Sequence, residues 1–410
     1  MSNFEQLLEK YADLAVRVGV NVQKGQNLNI NAPISAAPYV RKVVKKAYEA
    51  GARNVYIEWN DDEITRARFE LAPDEAFLDY PMWKAKGMEE LAEGGAAFLS
   101  IVSSNPDLLK GIDPERIANA NKTAGQALTT FRNYSQADKV SWSVIAVPSE
   151  SWAEKVFPTL SPEEQVEKLW EAIFQATRVD TPDPVAAWKE HSASLHTKVE
   201  YLTNKKYKKL HYKAPGTDLV VELPEDHVWI GGGSESERNV EFVANMPTEE
   251  VFTVPAKEGV NGYVASTKPL NYGGSLIENF TLTFENGRIV DVKAETGEDT
   301  LKRLIETDEG SHYLGEVALV PHNSPISQSD IIFFNTLFDE NASNHFAIGN
   351  AYAFCIEGGK TMTREELVKK GANNSITHVD FMVGSADMDI DGITADGTVE
   401  PVFRKGSWAF

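Results

Sequence analysis

Between residues 35 and 51 the apolar positions Val40, Val43, Val44 and Ala47 fall at the i, i+3, i+4, i+7 spacing of a helix with one buried face. Ser35 is placed to cap that helix, and Gly51 to stop it. Residues 27–31 (NLNIN) and 54–59 (NVYIEW), on either side, have strand length and strand composition. Strand, helix, strand predicts a βαβ unit, a parallel pair joined by a right-handed crossover. Residues 97–104 (AFLSIVSS) and 140–147 (VSWSVIAV) predict two more strands. Ser161-Pro162-Glu163-Glu164 is a capping box with proline at the first helical position, and an apolar stripe follows it: Val166, Leu169, Trp170, Ile173 and Phe174.

The pattern changes after residues 177–184 (TRVDTPDP), whose two prolines and two aspartates disfavour regular structure. A helix is expected over 185–203. Residues 219–223 (LVVEL) then predict a strand, and 280–294 (FTLTFENGRIVDVKA) a hairpin turning on Asn286-Gly287 in a type I′ turn. A helix near 299–306 interrupts a run of further strands. The expected fold class is therefore α/β followed by α+β. Residues 1–184 form an N-terminal α/β domain with a largely parallel sheet, and residues 185–410 a C-terminal domain with a mixed or mostly antiparallel sheet. The length of 410 residues agrees with two cores better than with one.

Charge narrows the function. With 61 acidic and 40 basic residues, the chain carries a net charge of -21. Nucleic acid is not expected as a partner, because phosphate binding needs surplus Lys and Arg. Cys355 is the single cysteine, which excludes an intramolecular disulfide and any Cys-rich zinc site. The N-terminal segment MSNFEQLLEKYADLAV reads as an amphipathic helix rather than a signal peptide, and no window has the length of a membrane span. The expected location is the cytoplasm, without a membrane partner.

Several familiar motifs fail. Asp387, Asp389, Asp391 and Gly392 (in SADMDIDG) match the opening of a calcium loop, but Thr398 stands where its bidentate glutamate belongs, so an acidic turn is the better reading. Residues 230–236 (IGGGSES) lack both G-x-G-x-x-G and a Walker lysine. They are expected to be a flexible loop, or one whose backbone approaches substrate. No G-x-S-x-G elbow occurs.

His191, His196, His211, His227, His312 and His322 have no companion pattern. His345 and His378 do. His378 and Asp380 (in THVDFM) stand at i and i+2 of a strand and project to one face. His345 lies between Glu340 and Tyr352 in FDENASNHFAIGNAY, with Gly349 and Asn350 suggesting a loop or turn. Glu249 and Glu250 (PTEEVFTVP) and Glu316 (HYLGEVALVP) are carboxylates in apolar surroundings. Glu316, opening an apolar strand, would be costly to bury without a cation. Spacing alone leaves two readings open, a shared metal site or scattered solvated acids.

MPTEEVFT, LGEVALVP, NASNHFAIGNAY and ITHVDFMVG together carry a resemblance to the thermophilic-type metallo-aminopeptidases, extending over essentially the whole chain. The resemblance implies that Glu250, Glu316, Glu340, His345, His378 and Asp380 bind two divalent metal ions per chain. Tyr352 and Glu250 would be the catalytic side chains, within a homodimer acting on peptides with a free N-terminus. Two ions a few ångström apart polarise a carbonyl and acidify a water. Four carboxylates and two imidazoles suit zinc, cobalt, manganese or magnesium. In this reading Glu316 bridges, His345 and His378 fix separate corners, and Asp380 sits on the His378 face. The alternatives are another dinuclear hydrolase, such as a phosphoesterase, or a metal- or peptide-binding protein without turnover.

Overall fold

The computed structural model describes residues 3–410 except 104, 106, 273 and 274. Met1 and Ser2 of the expected N-terminal helix, and Ser104 of the expected third strand, lie outside the described residues. The chain divides into two compact units. One comprises Met1–His191 with Gly233–Pro247, the other Ser192–Gly232 with Thr248–Phe410.

The first unit holds a four-stranded parallel sheet. Leu28–Pro33 pairs with Val55–Asn60 on one side and Ala97–Val102 on the other, and Trp142–Ala146 pairs with Ala97–Val102. The helix Ala37–Glu49 makes the first crossover and buries Tyr39, Val40, Val43 and Ala47. Ser35 does not cap it. A 3-10 turn over Ile34–Ala36 precedes the helix, Ala36 occupies the cap position without a side-chain bond, and Pro38 stands in the first turn. The Ser161 capping box is present, with the Glu164 carboxylate accepting from the Ser161 N–H at 3.1 Å, and the helix Pro162–Ala176 follows.

In the second unit every strand pair of the two large sheets is antiparallel. An eight-stranded sheet includes the expected hairpin, Thr281–Glu285 and Arg288–Lys293, with both turn residues Asn286 and Gly287 at positive φ as a type I′ turn requires. Asp389–Ile393 is a strand of this sheet, which corrects the acidic-turn reading. Asp391 pairs with Arg404, and Asp389 Oδ1 accepts from the Lys405 N–H at 2.9 Å, so these acids are paired along a strand. The glycine-rich stretch is also not one open loop. Ile230–Gly231 and Ser234–Glu235 are short strands, in different sheets.

The five-stranded sheet runs in the order His378–Met382, His345–Gly349, Leu314–Leu319, Val251–Thr253, Ile230–Gly231. Alternation gives it two unlike faces. Val251, Val317, Leu319, Phe346, Ile348 and Phe381 join Leu210, Tyr212, Leu219 and Val221 of the eight-stranded sheet in one buried core. The Tyr212 and Phe346 rings meet edge to face at 5.0 Å. The opposite face carries Glu316, His345, His378 and Asp380.

One irregularity sets which residue faces which way. Leu314 pairs with Ile348 and Glu316 with Ala347, so Gly315 is the extra residue of a bulge. Leu314 therefore points into the core with Ile348, while Glu316, two residues on, points to the other face with Ala347 and Asp380. A regular strand would put both on one face. A Cβ on Gly315 would come within 2.3 Å of the carbonyl oxygens of both Gly349 and Asn350. We expect Gly315→Ala to destabilise the protein by about 2–4 kcal/mol, since backbone must move to admit the methyl group. Chemical denaturation measures this, and a loss under about 0.5 kcal/mol, the ordinary surface range, would contradict it.

Candidate metal centre

The residues singled out by sequence are scattered over 130 positions of chain, and the sheet gathers most of them. In the register, His345 lies opposite Met382, Ala347 opposite Asp380 and Gly349 opposite His378. Ala347 also lies opposite Glu316, and Ala318 opposite both His345 and Phe252. Neighbouring strands are about 4.8 Å apart, so Glu316 and Asp380 flank the small Ala347 on one face. His345 opens a buried strand that ends at Gly349, where the sequence suggested a loop or turn. The turn begins only after Gly349.

Two groups of donors result. Glu250, Glu316 and His345 present ligand atoms that all lie within 4.8 Å of one another, and so do Glu316, His378 and Asp380. Glu316 is common to both. Its Oε1 lies 3.6 Å from His345 Nε2 and its Oε2 lies 3.4 Å from His378 Nε2. Glu250 Oε2 is 3.1 Å from His345 Nε2, and Asp380 Oδ1 is 3.5 Å from His378 Nε2. Solvent reaches the two groups unequally. The His345 side chain is 1% exposed and that of His378 20%, so the centre opens on the His378 side.

Both imidazoles are turned by backbone carbonyls. His378 Nδ1 donates to the Asn350 carbonyl at 2.8 Å and His345 Nδ1 to that of Ser343 at 3.1 Å, which leaves each Nε2 facing the carboxylates. Asn350 is held in turn, its Oδ1 accepting from Arg364 at 2.8 Å. Asn341 Oδ1 accepts from the Glu249 N–H at 2.7 Å, just before Glu250. The sequence reading missed Ser343, Asn350 and Arg364 as supports. A backbone carbonyl leaves no mark in residue type, but the asparagines crowding NASNHFAIGN were a usable signal.

Glu340 and Tyr352 join differently. Glu340 is buried in the 3-10 turn Glu340–Ala342 and is in neither donor group. Tyr352 follows the Gly349 strand end, with its ring centroid 4.7 Å from that of His378.

Electrostatics favour positive charge here. Burial raises the Glu250 carboxyl above the usual range. Burial, with Asp380 and Glu250 nearby, lifts Glu340 further. Burial opposes charge on His345, yet the Glu250 and Glu316 carboxylates outweigh it and hold its pKa well above the ordinary value. His378 is raised likewise against burial, by Tyr352 and Asp380. Burial also opposes ionisation of Asp380, but His378 prevails and lowers it. For Tyr352 the His378 cation pulls down, while burial and the carboxylates prevail and raise it.

The donors fit divalent metal. Asp380 Oδ1 is buried without a hydrogen bond among the described residues, a costly state for an ionised oxygen unless a cation meets it. Carboxylate oxygens and neutral imidazole nitrogens are the ligand types that zinc, cobalt and manganese share.

Known proteins resemble the chain throughout. Aminopeptidase AmpS of Bacillus subtilis is 65% identical over 410 residues, covering all of both chains. Aminopeptidase 2 of Geobacillus stearothermophilus is 58% identical, covering all of this chain and 99% of that one. The solved structure of wild-type AmpT from Thermus thermophilus superposes with a TM-score of 0.94 at 44% identity, over 99% of this chain and 100% of the other. The family profile described as thermophilic metalloprotease (M29) matches residues 4–408, and the chain belongs to that family.

Proposed function

We propose that this protein is a metal-dependent aminopeptidase that removes N-terminal residues from peptides, using two divalent metal ions per chain. The observation that carries the reading is Glu316, whose two oxygens face two different histidines, each with its own further carboxylate. Zinc and cobalt are the metals we propose first, because both accept this mixture of oxygen and nitrogen donors. The names of the full-length relatives support the exopeptidase class. Residues 185–410, apart from the stretches 185–191 and 233–247 that join the first unit, are proposed as the catalytic domain and 1–184 as the body of a separate N-terminal domain. A homodimer in the cytoplasm is proposed from the family resemblance. None of the described helices is long and apolar enough to cross a membrane.

In this reading Glu250, Glu316 and His345 hold one ion and Glu316, His378 and Asp380 the other, with Glu340 beside them. When bound, the ions would polarise the scissile carbonyl and make water a nucleophile at neutral pH. The protein's side chains divide the remaining tasks. Glu250, beside His345 at 3.1 Å, would accept a proton from the attacking water on the carboxylate oxygen it does not give to an ion. Tyr352, kept protonated, donates a hydrogen bond to the oxyanion as the carbonyl carbon becomes tetrahedral. The Asn350 and Ser343 carbonyls keep both imidazoles in orientation throughout.

Elemental analysis of protein dialysed against trace metal should find about two divalent ions per chain. Saturation at one ion in folded protein would remove the dinuclear reading. His378→Ala should lower kcat at least as far as loss of an outer partner does, about 10–100-fold, with the far-ultraviolet circular dichroism unchanged. Wild-type rates in that variant would show His378 to be an ordinary strand residue. Peptides should shorten one residue at a time from the amino end, and their N-acetylated forms should resist, because acetylation removes the charge and lone pair that fix the amine near the scissile bond. Mass spectrometry of matched time courses reads this, and internal cleavage would place the protein in another class.

A further inference from the structure

The face that carries the donors also carries an unexplained apolar wall. Glu250 immediately precedes the strand Val251–Thr253, on which Val251 enters the core and Phe252 therefore leaves the opposite, donor-bearing face. Its register partners on that face are Ala318, itself opposite His345, and Ile230 on the edge strand. Two other aromatic rings meet it. The Phe354 ring stacks on that of Tyr352 at 5.1 Å with 9° between planes. Phe252 stands edge-on to both, 6.2 Å from Tyr352 and 6.1 Å from Phe354.

Phe252, Phe354 and Ile230 all remain partly exposed, above a small buried cluster of Val254, Ala351, Cys355, Ile356 and Ala372. That cluster needs a cover, but a cover alone does not require three large apolar side chains to keep surface open to solvent. Their position matters more. The two phenylalanine rings adjoin Tyr352 and hence His378, on the side where the centre is open, and Ile230 pairs with Phe252. Binding sites of this kind combine an apolar wall with a few fixed polar groups, and here the polar groups are the donors.

We propose that Phe252, Phe354 and Ile230 form the subsite for the side chain of the substrate's N-terminal residue, and that they select a large apolar side chain such as leucine or phenylalanine. The inference rests on the aminopeptidase reading and specifies its substrate. An acidic side chain placed there would be desolvated against aromatic carbon and repelled by the neighbouring carboxylates. An alanine side chain would leave the wall in contact with water and gain nothing from it.

The test compares leucyl- and alanyl-p-nitroanilide in wild type, Phe252→Ala, Phe354→Ala and the conservative Phe252→Leu. One extra methylene group in an apolar pocket is worth about 10–200-fold in kcat/KM, so the wild type should prefer leucyl by at least about tenfold. Either alanine variant should compress that ratio by at least about fivefold, and Phe252→Leu should restore most of it. Binding is read separately by calorimetric titration with leucinamide and alaninamide, which needs no turnover. Loss of the leucinamide preference in Phe252→Ala and Phe354→Ala supports the subsite even in a protein that hydrolyses neither anilide, an outcome that would overturn only the aminopeptidase reading. Turnover with an unchanged leucyl-to-alanyl ratio in both alanine variants overturns the subsite, as does a preference that moves only when the second residue of Ala-Leu and Ala-Ala peptides is varied.

Discussion

Like charges brought together out of water are the constraint that governs the second unit. Glu250, Glu316, Glu340 and Asp380 converge with two imidazoles between them, and burial resists ionisation of Glu250 and Glu340. At an effective dielectric of about 20, two unit charges 4 Å apart interact by about 4 kcal/mol, so four unbalanced carboxylates would outweigh a good part of a domain's stability. Positive charge must balance them, whether as protons on His345 and His378 or as divalent cations. The raised imidazoles of His345 and His378 and the lowered carboxyl of Asp380 follow from that demand.

A site under such repulsion holds its geometry only on rigid supports, and the sheet supplies them. Three ligand-bearing strands are hydrogen-bonded neighbours, and their other face is locked into the core through Val317, Phe346, Ile348 and Phe381. Small residues separate the large ones on the working face, with Ala347 between Glu316 and Asp380 and Ala318 between Phe252 and His345. The bulge at Gly315 reconciles the two faces. It lets Leu314 join the core without turning Glu316 away from the centre.

Much of this was legible where chemistry is local. The crossover helix, the capping box at Ser161, the Asn286-Gly287 turn and the shared face of His378 and Asp380 all follow from residue type at fixed spacing. What escaped depends on partners distant in sequence. Ser35 had the composition of a cap but lies in a tighter turn. The strand that His345 opens had no reading of its own, since Asn341, Ser343 and Asn344 before it are polar, yet those residues are buried and bonded, Asn344 Oδ1 to the Val320 N–H at 2.8 Å. Asp389 and Asp391 read as a turn until Arg404 and the Lys405 N–H, from the next strand, pair with them. The bulge has no signature beyond a glycine beside a glutamate.

Residues 233–247 leave the second unit's sequence neighbourhood and belong to the first. There the Val144 N–H donates to the Ala244 carbonyl at 2.8 Å, the Met246 N–H to the Val144 carbonyl at 3.0 Å, and the Val243 N–H to the Gly19 carbonyl at 2.9 Å. The parallel sheet is thus finished by a segment translated some 90 residues after its last strand. An N-terminal portion of the nascent chain has its four strands but not the stretch that satisfies the outer edge of the last one. The same connectivity bears on ancestry. Neither unit can be exchanged between genes by a single joint, so recombination that respects both must join at three places, and the two halves are expected to have diverged as one inheritance.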